Sequence, residues 1–265
     1  MEPGLRTPLL DFFRRGEVAR DIRLLAAQGA LAPRAQEQLG LLILLVGDQD
    51  PDIASAAEST LQALPSESLR AFLARSDVPA DMRNFFAQRG IEPAAGAAPE
   101  GDAPLLDTAP EPESLGLELD NLEPAEAEKV RASTLQKISA MTVAERMNLA
   151  MKGSREERAV LIRDPNKIVG VAVLSSPKLT ETEVESIAKM TSISDELLRI
   201  IANTRAWVKN YGVTVALTRN PKTPVAVSMN MLARLNDRDL KMLSTDRNVP
   251  EILRITARKK VVIDK

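Results

Sequence analysis

The chain contains no cysteine and no histidine, and only 3% of its 265 residues are aromatic. Without the first two side chains there can be no Cys/His zinc site, no Ser-His-Asp triad and no cysteine nucleophile with a histidine base. Disulfides are impossible, so cysteine usage gives no sign of a compartment. A core this poor in rings must be built from Leu, Ile, Val, Ala and Met, which suits closely packed short helices better than aromatic-rich strands. Long apolar runs are missing as well. The longest, Leu39 to Val46, is far short of the ~20 residues of a membrane span. The opening Met1-Glu2-Pro3-Gly4-Leu5-Arg6 lacks the basic-then-apolar order of a secretory signal. These absences together predict a cytoplasmic protein. Neither G-x-x-x-x-G-K-S/T nor G-x-G-x-x-G occurs, so no phosphate-cradling loop is expected, and no cofactor or metal.

Charge of one sign is missing by segment. The net charge of −2 conceals this. Residues 1–89 carry ten Arg, no Lys and twelve acids; residues 90–128 carry eleven acids and no Lys or Arg; residues 129–265 carry 25 basic and 14 acidic side chains. The segments are therefore −2, −11 and +11. Such asymmetry points to an acidic connector between a near-neutral block and a basic one.

What is present is punctuation. Asp50-Pro51, Asp164-Pro165 and Asn220-Pro221 form one class of helix start, and Val78-Pro79, Ile193-Ser194 and Val249-Pro250 a second. An Asx side chain caps free N–H groups, and proline fits the first helical position, where its missing donor costs nothing. The starts at 51, 79, 165, 194, 221 and 250 are spaced by 28, 86, 29, 27 and 29 residues, the 86 being about three periods with an insertion. An offset of 56 places Leu161 on Leu217, Arg163 on Arg219, Pro165 on Pro221, Val184 on Leu240 and Ile187 on Leu243. A one-residue slip then pairs Asp195–Ala202 with Pro250–Ala257. At an offset of about 115, Leu64 pairs with Leu179, Leu69 with Val184, Phe72 with Ile187 and Val78 with Ile193. The expected architecture is all-α: an α-solenoid of about 28-residue helix pairs, in a 56-residue double unit, arranged in two blocks. Helices of about ten residues are unstable alone and must stack on neighbours.

Taken in order, the pattern predicts helices over 5–15, 17–28 and 33–46, with Gly16 and Gly29 ending the first two. The third is apolar nearly all round in its second half, as a central helix would be. Further starts fall at Pro51, Ser66 and Pro79, with an end near Gly90. Residues 91–123 are rich in Ala, Pro, Gly and acid, have no helical period, and are expected to form a disordered linker. Within them Leu115 to Leu122 reads as a docking motif or, preferably, as a tether resting on the protein's own helices. A longer helix resumes from Pro124 to about Ala140, and Thr142-Val143-Ala144-Glu145 is a capping box. In the best copy, helices begin near 165, 180, 194 and 208. The domains are thus 1–90, 91–123 and 124–265.

The Asx-Pro starts, the Val169-Gly170-Val171 and Val225-Ala226-Val227 helices, and the Leu-Ile-Arg-Asp-Pro and Leu-Thr-Arg-Asn-Pro turns resemble HEAT-like and armadillo-like repeats. The C-terminal half is also similar to bacterial proteins, without an assigned activity, that carry the same Met-Thr-Val-Ala-Glu and Arg-Asp-Pro-Asn-Lys phrases. The period is shorter than the roughly 40 residues of a HEAT unit. The resemblance implies a scaffold with a binding surface rather than a set reaction, and fold alone licenses no more.

Candidate binding residues are Arg205, Trp207, Lys209, Tyr211, Arg219 and Lys222, with Arg258, Lys259 and Lys260 near the C-terminus. Trp207 and Tyr211 stand four apart and are placed on one helical face. They read as an aromatic-plus-basic patch for nucleobases, phosphates or an acidic peptide. The preferred reading is packing, with Trp207 covering a repeat junction. Arg258–Lys260 either complements a helix C-terminus or forms a polyanion-binding face. Asp50, Asp164, Glu183 and Asp239 recur at helix starts and read as caps, not as acid–base catalysts. Arg163 and Arg219 are expected to hold carbonyls at a helix end or to pair with a neighbouring repeat. The leading expectation is a non-enzymatic scaffold for a protein partner, an acidic one among the options, with the acidic linker contacting the basic C-terminal domain in cis. The alternatives are a nucleic-acid-binding solenoid and, more weakly, a DNA glycosylase-like enzyme. The sequence contains no acid near Trp207 to support the last of these.

Overall fold

The computed structural model describes residues 7–31, 34–95, 101–112 and 133–263, and all regular structure among them is helical. Two compact units are formed. The first comprises Met1–Arg158 with Val171–Pro177, and the second Ala159–Gly170 with Lys178–Lys265. The division falls within two helices, between Arg158 and Ala159 and between Gly170 and Val171, whereas the sequence reading divides the chain at the acidic stretch.

In the first unit the helices are α1 (Pro8–Arg14), α2 (Arg20–Ala27), α3 (Ala35–Leu45), α4 (Pro51–Ala63), α5 (Ser66–Leu73), α6 (Ala80–Ala87), α7 (helical over 133–140) and α8 (Val143–Lys152). As expected, α3 is the hub: Leu39, Leu41, Leu42, Ile43 and Leu45 are all buried, and α1, α2, α4 and α6 pack on it. Gly29 and Gly90 end α2 and α6 in the left-handed region, at φ +81° and +76°. The following amides, Ala30 and Ile91, then reach back five residues to the Leu25 and Phe86 carbonyls at 3.0 Å each. Only glycine takes that φ without strain. The Thr142 box forms as read, with Glu145 Oε2 accepting from the Thr142 amide at 2.7 Å.

In the second unit are α11 (Glu181–Lys189), α12 (Asp195–Asn203), α13 (Arg205–Val208), α14 (Tyr211–Arg219), α15 (Val225–Met231), a 3-10 turn (Leu232–Arg234), α16 (Asp237–Thr245) and α17 (Glu251–Ile263). Two further helices, α9 (Arg155–Leu161) and α10 (Lys167–Ser175), contribute to both units.

The repeat is present in the elements themselves. Helices α9, α11 and α12 start 56 residues before α14, α16 and α17, and α5 and α6 start 115 residues before α11 and α12. Equivalent side chains are buried in all three copies: Leu69, Val184 and Leu240; Phe72, Ile187 and Leu243; Val78, Ile193 and Val249; Met82, Leu197 and Leu253. The one-residue slip read from the sequence is not needed: α12 and α17 keep the 56-residue offset, which pairs buried Leu197 with Leu253 and Ile201 with Ala257, whereas the slip would pair buried Leu197 with exposed Ile252.

The proline starts need a correction. Only Pro51 opens its helix directly. Pro165 and Pro221 lie before the helix starts at Lys167 and Val225. What all three copies share is an Asx turn spanning the proline: Asp50 Oδ1 accepts from the Asp52 amide (3.0 Å), Asp164 Oδ1 from Asn166 (2.7 Å) and Asn220 Oδ1 from Lys222 (3.0 Å). Such a turn satisfies the backbone locally; the helix follows at once after Asp50 but begins two residues beyond Pro165 and four beyond Pro221.

The acidic stretch also differs from expectation. Residues 101–112 run as an extended strap over the first unit, hydrogen-bonded to Ala35, Gln38, Gln28 and Asn148. Composition missed this because the strap is held chiefly by its backbone and carboxylates, not by a helical apolar period. Leu115–Leu122 and the start of the helix expected from Pro124 lie outside the described residues.

Candidate functional site

In the second unit, α11, α14 and α16 enclose a cleft of about 540 Å³. Each wall is positioned by local chemistry. Helix α11 starts from a Thr180–Glu183 capping box, which orients Glu185 and Lys189 into the cleft. These two, one helical turn apart, form an ion pair at 2.6 Å. Glu185 lies against Gly212, where an added Cβ would be 2.4 Å from its carboxylate. The missing side chain thus admits an acid at the first turn of α14, where the helix dipole favours it.

The floor is α14, contributing Val215 and Ala216. At its far end Asn220 is buried, and its side-chain amide donates to the carbonyls of Ala188 (2.8 Å) and Met190 (2.9 Å) at the end of α11. Arg219 pairs with Asp246 at 3.7 Å, as expected for an arginine that bridges to the next repeat. Arg219 and its counterpart Arg163 are both exposed.

Tyr211, the first residue of α14, reaches across to α16. Its hydroxyl donates to Asp239 Oδ2 at 2.5 Å and accepts from the Asn236 amide at 3.1 Å. Asn236 Oδ1 in turn accepts from the Asp239 amide at 2.8 Å. The equivalent start of α11 closes directly, with the Thr180 amide on Glu183 Oε2 at 2.9 Å. Aspartate is one methylene shorter than glutamate, and in α16 the tyrosine hydroxyl spans the difference. Asp239 is therefore a cap, as read, but a relayed one. Partial burial, reinforced by Asp239, raises the Tyr211 pKa above its ordinary value, so the phenol stays a donor further into the alkaline range than a free tyrosine.

The residues singled out from the sequence separate here. Tyr211 and Arg219 line the cleft, and Lys222 follows Pro221 at its rim. Arg205 and Trp207 belong to α13, with Lys209 just after it. Trp207 and Tyr211 do not share a helix: Asn210 intervenes and caps α14 by accepting from the Gly212 amide. The Val208 carbonyl that would continue α13 is instead taken by Thr214 Oγ1 at 3.2 Å and by Arg234. Arg258, Lys259 and Lys260 are on α17, where Arg258 donates to the Ser244 carbonyl near the end of α16 at 3.4 Å. That contact is to the end of α16, not of α17, and it involves Arg258 alone of the three. The sequence reading missed Glu185, Lys189, Thr191 and Asn220. Their signal was present only in combination, as an i,i+4 Glu–Lys pair facing a glycine at the second position of α14.

The lining alternates donors (Lys189, Arg219), acceptors (Glu185, Asp239) and short apolar surface (Val215, Ala216, Pro221). Two carboxylates repel a phosphate backbone, whereas a polypeptide offers both donors and acceptors. No helix among the described residues is long and apolar enough to cross a membrane. No family model matches the chain, and no curated protein or solved structure matches it.

Proposed function

We propose that the protein is a non-enzymatic scaffold whose helical repeats stack as a HEAT-like or armadillo-like α-solenoid, and that the α11–α14–α16 cleft holds a segment of a protein partner. The observation that carries this reading is the alternation of charge over an apolar floor between Glu185, Asp239, Lys189 and Arg219. The polar groups already satisfy one another or a neighbouring helix, as in Glu185–Lys189 and Tyr211–Asp239. Such groups suit recognition better than acid–base catalysis, which needs a group poised to exchange protons.

A peptide-display selection against the full chain tests this. Selected peptides are expected to lose at least tenfold in affinity to Val215→Arg, which fills the floor, and to Arg219→Glu, while circular dichroism stays unchanged. Ligands indifferent to both substitutions would remove the cleft from the reading. Duplex DNA bound with a steep salt dependence, and no peptide selected, would favour the basic face instead.

A further inference from the structure

The strap at 101–112 is bound to the first unit as a separate peptide would be. Gln38 on α3 is 1% exposed, and its side-chain amide reads the strap's main chain. Its Oε1 accepts from the Leu105 (2.8 Å) and Leu106 (3.2 Å) amides, while Nε2 donates to the Leu106 carbonyl. Around this buried reader the strap's ends are held by charge and by backbone. The Asp102 carbonyl accepts from the Ala35 amide at 3.0 Å, and the Asp102 carboxylate lies 3.9 Å from Arg34 and 4.0 Å from Arg75. Lys152 pairs with Asp107 at 2.6 Å and donates to the Ala109 carbonyl at 3.3 Å. Asn148 donates to the Pro110 carbonyl at 2.8 Å. A Leu106 methyl sits beside Gly29, 3.7 Å from where a Cβ would be.

Two features separate this from an ordinary tether. Main-chain recognition by a buried glutamine is indifferent to side chains, so another extended chain would satisfy Gln38 equally well. Leu105 and Leu106 are only half-buried, so the strap gains little from apolar burial and is exchangeable. We infer that the groove lined by Gln28, Gly29, Arg34, Gln38, Asn148 and Lys152 is a peptide-binding site occupied in cis by residues 101–112. Its trans ligand is an extended acidic segment of a partner protein with the pattern Asp-x-x-Leu-Leu-Asp. The strap sets the threshold that this partner must overcome. The inference is independent of the α11–α14–α16 cleft.

The test uses the full chain and a fluorescent peptide of sequence Gly-Asp-Ala-Pro-Leu-Leu-Asp-Thr-Ala-Pro-Glu-Pro, which repeats residues 101–112. Binding is measured by anisotropy to the wild type and to a strap variant carrying Asp102→Ala, Leu106→Ala and Asp107→Ala. The peptide is expected to bind the strap variant at least tenfold more tightly than the wild type, with Gln38→Ala in the variant removing the gain. Equal affinity for both chains, or no binding to a folded strap variant, overturns the inference. So does a strap variant that dimerises through exchanged segments without binding peptide. Hydrogen exchange on the wild type gives a reading that does not depend on the variant folding. Leu105 and Leu106 amides at least 100-fold less protected than those of α3 support an exchangeable strap, and equal protection refutes it.

Discussion

Tyr211 shows how one hydroxyl can complete a cap that sequence spacing leaves short. Removing it in Tyr211→Phe should destabilise the protein by about 1 kcal/mol, the net value of an ordinary hydrogen bond. Asp239→Glu in the same chain should restore most of the loss, because the longer acid reaches the Asn236 amide as Glu183 reaches Thr180; thermal melts of the single and double variants check this. As the only tyrosine, Tyr211 can be followed alone by ultraviolet titration. A raised folded pKa means its stabilising contribution is complete below the unfolded pKa and is lost as pH rises through the folded one. Ionisation should therefore begin above the range of a free tyrosine, and Asp239→Asn should bring it part of the way back. Asn220 is a costlier position. Its buried amide serves two carbonyls of another helix, so Asn220→Ala should cost roughly 2–3 kcal/mol in denaturant unfolding, chiefly from carbonyls left dry and unpaired.

Among the elements, the capping box at Thr142 was legible at sight, because cap and N3 acid stand three residues apart and need no tertiary partner. In α8 the Thr142 backbone and hydroxyl together hold the Glu145 carboxyl below its ordinary pKa. A depressed folded pKa contributes stability that is present above the unfolded value and is lost as pH falls through the folded one. Glu145→Ala should thus lower the melting temperature at neutral pH, with the difference from wild type closing in the acid range. The helix starts at Pro165 and Pro221 were misplaced for a related reason. The Asx-Pro signal specifies a turn, and how many residues follow before the helix begins depends on what the turn packs against. Trp207 and Tyr211 were assigned to one helix because a four-residue spacing fits α periodicity. Asn210, a cap residue between them, was the contrary local signal.

Across the whole molecule, the recurrence of buried positions is the main organising fact. Leu69 and Leu240 occupy equivalent places 171 residues apart and are 1% and 3% exposed. Leu69→Ala and Leu240→Ala should each cost about 2–5 kcal/mol, as core truncations do. A loss under 1 kcal/mol at either, measured by denaturant titration, would show that the two sites are not equivalent. By itself the sequence determined that the protein is all-α, where most helices lie, and which residues recur in the core. Those properties follow from local caps, turns and a 3.6-residue period, all written in nearest neighbours. Tertiary structure alone decided that residues 101–112 lie against Gln38, that Tyr211 relays to Asp239, and that Glu185, Lys189 and Arg219 share a cleft. These bring together residues about 25 to 80 positions apart, through a few polar contacts or through helix packing alone. A lone polar contact leaves no period in the chain, so only the packed helices bring its partners together.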